Sequence, residues 1–147
     1  MLKIYVASSW RNTFQPSLIK TLRAEGYEVY DFMDSDGFRW TEVDPDWLEW
    51  PKNIPKYLAG LNTAQAWRGF NRDMESLRAC DVCVYLMPCG VSASLEAGWA
   101  KGAGKFLIVY VPGLREPDLM VKMADIVTDD LDLVLRALRI WPYCARC

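Results

Sequence analysis

A chain of 147 residues that is 52% hydrophobic is long enough to bury one core, and its net charge of -2, with no basic run, argues against duplex nucleic acid as a partner. It has no histidine, which removes Ser-His-Asp and Cys-His catalysis, His-based zinc hydrolysis and His-containing deaminase sites. Acid–base work therefore falls to Asp, Glu, Tyr, Lys or Cys.

No apolar run approaches a membrane-spanning length of about 20 residues. The N-terminal segment Met1 to Ala7 is too short for a signal peptide and reads as a strand, so no membrane partner is expected and the expected compartment is the cytoplasm.

In chain order, strand and helix alternate. Leu2 to Ala7 is a first strand, and a polar loop, Ser8-Ser9-Trp10-Arg11-Asn12, follows it. Gln15 to Glu25 carries helical spacing in Leu18, Ile19 and Leu22, with Gly26 as its C-terminal stop. Tyr27 to Phe32 is a second strand. From Met33 to Pro51 the rhythm breaks into a long loop in which Asp34, Asp36, Asp44 and Asp46 interleave with Phe38, Trp40, Trp47 and Trp50. A Trp-rich loop of this length is either a lid or binding wall, or an apolar cluster that pins the loop down. Its Asp spacing lacks the glycine-anchored pattern of a calcium loop.

Helix returns over Ile54 to Leu61 and Thr63 to Ala79. In the second, Trp67, Phe70, Met74 and Leu77 form a stripe expected to face the core, with Asp73 at its edge. A third strand runs from Val82 to Met87 and a fourth from Phe106 to Val111. A short helix is expected over Asp118 to Met123, a brief fifth strand at Ile126-Val127, and a last helix over Asp129 to Ile140 begun by an Asp cap. This alternation predicts one flavodoxin-like α/β domain over residues 1–147, with the Trp-rich insertion at about 33–51. Its doubly wound sheet has five mostly parallel strands in the order 2-1-3-4-5 and helices on both faces.

The stretch Pro88 to Ala100 follows the third strand. After a turn at Pro88 to Gly90, the alanines and glycines up to Gly104 suit a helix packed closely on the sheet. Ser92 or Ser94 is a candidate cap. Glu96 then falls in the first turn, where the helix dipole favours an ionised carboxylate. Such a Glu serves either as a catalytic group at the carboxyl end of the strand or simply as a helix-start residue. In a 2-1-3-4-5 sheet, ligands bind where strands one and three part, so Ser8, Ser9 and Arg11 should face the Ser92 to Glu96 turn.

The cysteines form two C-x-x-C pairs, Cys80/Cys83 and Cys144/Cys147. One of the first pair sits in a strand and the other closes a helix, so their side chains need not converge. No metal and no cofactor are expected.

The whole chain resembles the nucleoside 2-deoxyribosyltransferase-like superfamily, which includes deoxynucleoside 5'-monophosphate N-glycosidases. The resemblance rests on Ile4-Tyr5-Val6-Ala7-Ser8-Ser9-Trp10, on Asn71-Arg72-Asp73 with Cys80-Asp81, and on Ser94-Leu95-Glu96-Ala97-Gly98-Trp99-Ala100. It implies that Glu96 is a nucleophile, that Tyr5 orients it, and that Asp73 places or protonates the base. In the glycosidase branch a Ser and an Arg two residues later hold a 5'-phosphate, and Ser9 and Arg11 match them. Six residues before the Glu, the transferases carry Asp and the glycosidases Ser, whereas this chain has Gly90. Recognition must therefore come partly from elsewhere.

The implied reaction is cleavage or transfer of the N-glycosidic bond of a nucleoside or nucleoside 5'-monophosphate through a covalent ribosyl-enzyme ester. Ser8, Gly90, Ser92, Ser94, Trp40 and Trp47 are further candidate lining residues. Relatives complete their sites across subunits, so Met120 is a candidate to reach a second copy in a homodimer or larger homo-oligomer. The alternatives are a TIR-like NAD glycohydrolase and a nucleotide-sensing module without turnover.

Overall fold

The computed structural model describes residues 1–34, 37–113, 116 and 118–144. Among them the strands are β1 Lys3–Ala7, β2 Glu28–Tyr30, β3 Val82–Leu86, β4 Phe106–Tyr110 and β5 Ile126–Thr128. The helices are α1 Gln15–Ala24, α2 Ile54–Leu61, α3 Ala64–Ala79, α4 Val91–Gly102 and α5 Leu131–Cys144. The sheet order is β2-β1-β3-β4-β5 with every pairing parallel, as the alternation of elements predicted. The chain divides into two compact units, one of Met1–Tyr30 with Leu77–Cys147 and one of Asp31–Ser76.

The first unit holds the sheet. Side chains alternate across a strand, so Ile4, Val6, Val82, Val84, Leu86, Ile108 and Tyr110 share one face, buried with Leu18, Ile19 and Leu22 of α1 and Val134 and Leu138 of α5. The opposite face carries Tyr5, Ala7, Cys83, Tyr85, Leu107 and Val109. It meets α4, whose Ala93, Ala97 and Ala100 are buried. Alanines at these positions let the helix axis approach the sheet, as the small-residue pattern predicted.

Both α1 and α4 end on a left-handed glycine. Gly26 (φ 86°) and Gly104 (φ 77°) each follow the last turn, and the next residue's N–H bonds back to Leu22 or Ala100. Only glycine adopts this φ without strain. Lys105 then donates to the Arg78 and Cys80 carbonyls at 2.7 and 2.6 Å, closing the carboxyl end of α3.

Several boundaries differ from the sequence reading. The second strand shrinks to Glu28–Tyr30, the three residues that pair with Lys3 to Tyr5. The 118–123 segment is a 3₁₀ turn over Leu119–Met123, with the Asp118 carboxylate accepting the Met120 N–H at 2.9 Å. The last helix starts after Asp130, whose carboxylate accepts the Asp132 N–H at 2.8 Å, and continues to Cys144.

The second unit contains the Trp-rich segment, which is folded rather than loose. It forms 3₁₀ turns at Trp40–Glu42 and Trp47–Lys52. Phe38 meets Trp40 edge-on at 4.9 Å, and Trp40 meets Trp50 at 5.3 Å. Trp50 is buried, and its Nε1 donates to Asp44 at 2.9 Å. That bond, with the Asp46 N–H, holds the Asp44 carboxyl below its ordinary range. Gly60 of α2 and Gly69 of α3 admit these rings, because a Cβ at either position would overlap Trp50 or Phe38. The expected core stripe of α3 is only partly buried. Leu77 is fully covered, but Trp67 and Phe70 are 53% and 52% exposed and pack edge-on against each other. Ala66 and Gly69 take the buried positions instead, so the periodicity was right and the covered face was wrong.

Candidate active site

The loop after β1 is bound to the end of β3 by side chains. Ser8 Oγ donates to the Leu86 carbonyl at 3.2 Å. Asn12 Nδ2 donates to the carbonyls of Leu86 at 3.2 Å and Pro88 at 3.0 Å, while its Oδ1 accepts the Phe14 N–H at 2.8 Å. Within the loop, Ser9 Oγ accepts the Arg11 N–H at 3.2 Å, and the Asn12 N–H reaches the Ser9 carbonyl at 2.8 Å. Ser9 is half-buried and Arg11 exposed, so this turn presents a hydroxyl and a cation at the carboxyl end of β1. Ser8 is instead committed to the fold.

The connection from β3 to α4 passes through a cis Met87–Pro88 peptide and reaches Gly90 in an extended conformation (φ −104°, ψ −163°). This corrects the expected capping. Gly90, not Ser92 or Ser94, precedes the first helical residue, and Glu96 consequently lies beyond the first turn. The helix dipole, which acts within the first turn, is therefore not what favours its charge. Ser92 is exposed. Ser94 Oγ donates back to the Gly90 carbonyl at 3.0 Å and shares a 2.8 Å hydrogen bond with Tyr85 Oη.

Tyr85 is buried at the end of β3. Burial, and then its bond to Cys89, push its phenol up to about 12. The Asp118 charge acts in the same direction. Met120 itself is 60% exposed.

Glu96 is half-buried on α4, and its charge reaches Cys83. Burial first, then Cys80, then Glu96 raise the Cys83 thiol well above its ordinary value, so Cys83 stays protonated beside that carboxylate. Tyr5 is fully buried, pairs in register with Cys83 and stacks on Tyr30 at 5.2 Å. Tyr5, Cys83 and Glu96 thus belong to the same side of the sheet. Asp73, half-buried on α3, and the half-buried Trp40 and Trp47 belong to the second unit. No cluster of His, Cys, Asp or Glu among the described residues has the makings of a metal site, and Cys147 lies outside them.

Three residues of this region were not singled out in the sequence as site candidates. In the sequence Tyr85 and Asn12 read as strand and loop, and Cys89 as part of a turn. Their only signal was a polar group at each end of the β1 and β3 apolar runs.

A doubly wound parallel sheet with its polar loops gathered at the carboxyl ends of β1 and β3 is the ligand-binding arrangement of this class. No protein-family profile matches the sequence, and no curated protein matches it. Solved structures do. A 2-deoxyribosyltransferase from Bacillus psychrosaccharolyticus superposes with a TM-score of 0.64 at 18% identity, covering 90% of this chain and 89% of that one. A CMP N-glycosidase from Clostridium botulinum superposes with a TM-score of 0.52 at 15% identity, covering 93% and 98%. The chain shares the fold of these proteins across nearly its whole length.

Proposed function

We propose that this protein cleaves or transfers the N-glycosidic bond of a nucleoside or nucleoside 5'-monophosphate, with Glu96 as nucleophile. The observation that carries the proposal is the placement of Glu96. It is half-buried on the sheet side of α4, and Ser9 and Arg11 stand on a loop tied to the strand that precedes that helix. The fold shared with a deoxyribosyltransferase and a CMP N-glycosidase supports the same reaction class.

A carboxylate oxygen of Glu96 attacks C1', and the C1'–N bond breaks with its electron pair leaving on the base. Asp73, protonated, gives its proton to the departing base nitrogen. The transition state is oxocarbenium-like and is stabilised by the adjacent carboxylate. Water, losing a proton to Asp73, then attacks C1', breaks the ester and restores the Glu96 carboxylate. A second base in place of water gives transfer. Tyr5 orients Glu96, Ser9 and Arg11 hold a 5'-phosphate through charge-assisted bonds, and Trp40 and Trp47 stack on the base. Trp50 is excluded from that role by its buried bond to Asp44. The working form is a homodimer or larger homo-oligomer, in which Met120 reaches the site of a second copy.

Incubation with deoxynucleosides, their 5'-monophosphates and NAD, with chromatographic detection of free base, tests the reading. Release of a nucleobase supports it. Nicotinamide as the sole product points instead to NAD cleavage, and no base from any compound points to ligand sensing without turnover.

A further inference from the structure

Asn12 uses its side-chain amide in a way that no other described residue of the β1–α1 loop does. Its amide nitrogen serves the last residue of β3 and the turn that feeds α4, and its oxygen serves Phe14, which precedes α1. The residue is 3% exposed, so these bonds form away from competing water. Ser8 also donates to Leu86, which keeps that carbonyl bonded without Asn12. The bond to Pro88 is of a different kind, because it joins the Ser9–Arg11 turn to the segment leading directly into Gly90 and α4.

We propose that Asn12 is a positioning residue: it sets the distance between the anion-holding turn and the helix that carries Glu96. This rests on the reaction proposed above. In a nucleoside 5'-monophosphate the separation of phosphorus and C1' is limited by the sugar. A phosphate held at Ser9 and Arg11 therefore presents C1' to Glu96 correctly only if the two segments keep their spacing. Binding energy from a remote group of this kind is expressed as orientation of the reacting carbon, and a displacement of about 1 Å is enough to lose about 10²-fold in rate. An aspartate at position 12 has no N–H to offer and would set a carboxylate against the Leu86 and Pro88 carbonyls. Alanine removes the clasp altogether, and serine keeps one donor.

The test compares Asn12→Ala and Asn12→Asp with the wild type on a 5'-monophosphate and its parent nucleoside, with Asn12→Ser as the milder change should either variant not fold. Thermal melts establish folding. The expected result is a fall of about 10- to 100-fold in kcat for the monophosphate, mainly in kcat rather than KM, with a much smaller change for the nucleoside. An equal fall for both compounds, or none for either, overturns the proposal. Calorimetric titration of the same proteins with both compounds separates it from the reaction assignment. No base release by the wild type overturns the glycosidase reading alone. A wild type that binds the monophosphate no better than the nucleoside overturns the role of Asn12, as does a phosphate preference lost in folded Asn12 variants, because the proposed change is in orientation and leaves the phosphate contacts in place.

Discussion

Tyr85 Oη and Ser94 Oγ share a 2.8 Å hydrogen bond in which either hydroxyl can be the donor. Ser94 Oγ also lies 3.0 Å from the Gly90 carbonyl, to which it donates. The chain Tyr85 to Ser94 to Gly90 ties the end of β3 to the first turns of α4. Tyr85→Phe and Ser94→Ala should each cost about 0.5–1.5 kcal/mol. Because both changes break the same link, the double variant should cost less than the sum of the singles. Denaturant melts of the four proteins check this, and strict additivity would mean that the bond contributes nothing.

Gly90 is not a glycine by steric necessity. Its φ is negative, and a Cβ there would meet nothing within 4 Å. Because it occupies the position before the first helical residue, Gly90→Ser or Gly90→Asp adds a capping side chain. Stability should hold or rise by a few tenths of a kcal/mol. Gly90→Ser should also strengthen binding of a 5'-monophosphate, since a Ser stands here in the glycosidases this chain resembles. A melt and a titration of each variant measure both effects.

Stability should decline in alkali. Burial raises the Cys80 thiol to about 11 and the Cys83 thiol well above its ordinary value. Above pH 9 the unfolded chain sheds thiol protons that the folded chain keeps, so the unfolded state gains and stability falls as pH rises. Each such thiol contributes a slope of up to about 1.4 kcal/mol per pH unit. Melts from neutral pH to about 11 should show this decline, and Cys80→Ala with Cys83→Ala should flatten it relative to wild type.

The outward side of α4 is apolar and uncovered. Val91 and Leu95 are 77% and 70% exposed, and next to them Gly98 and Gly102 leave open space where side chains would be. An antiparallel crossing of two copies of α4 would set Leu95 of one against Gly98 of the other, and Val91 against Gly102. In the proposed dimer such a crossing would take these two exposed side chains out of water. Light scattering should give at least twice the 16.9 kDa chain mass, and Leu95→Arg should shift it toward the monomer. A wild-type monomer at working concentration would rule the dimer out.

The sheet was legible because each apolar run is short, bounded by turn residues and followed by a helical pattern. The Gly26 stop followed from that rhythm, whereas the strand order was expected as the common one for such sheets. The clasp at Asn12 was not, since its carbonyl partners lie 74 and 76 residues further along the chain. Capping failed for a local reason. Two serines after a turn look like caps, but the chain enters α4 through an extended Gly90, which moves Glu96 out of the first turn. The exposed Trp67 and Phe70 show the limit of periodicity, which identifies a face without saying what covers it. The candidate nucleophile was singled out by its motif and by the meeting of two loops at one end of the sheet, an inference that needed the strand order first.

The account turns on Glu96, and mass spectrometry of the protein caught during turnover tests it most directly. Wild-type protein quenched with acid after mixing with substrate should carry one added pentosyl group, and peptide mapping should locate it on Glu96. Glu96→Gln should melt normally and still bind ligand, form no adduct, and release base at least about 10²-fold more slowly. A Glu96→Gln protein that releases base at the wild-type rate, or an adduct mapped to another residue, would contradict the account.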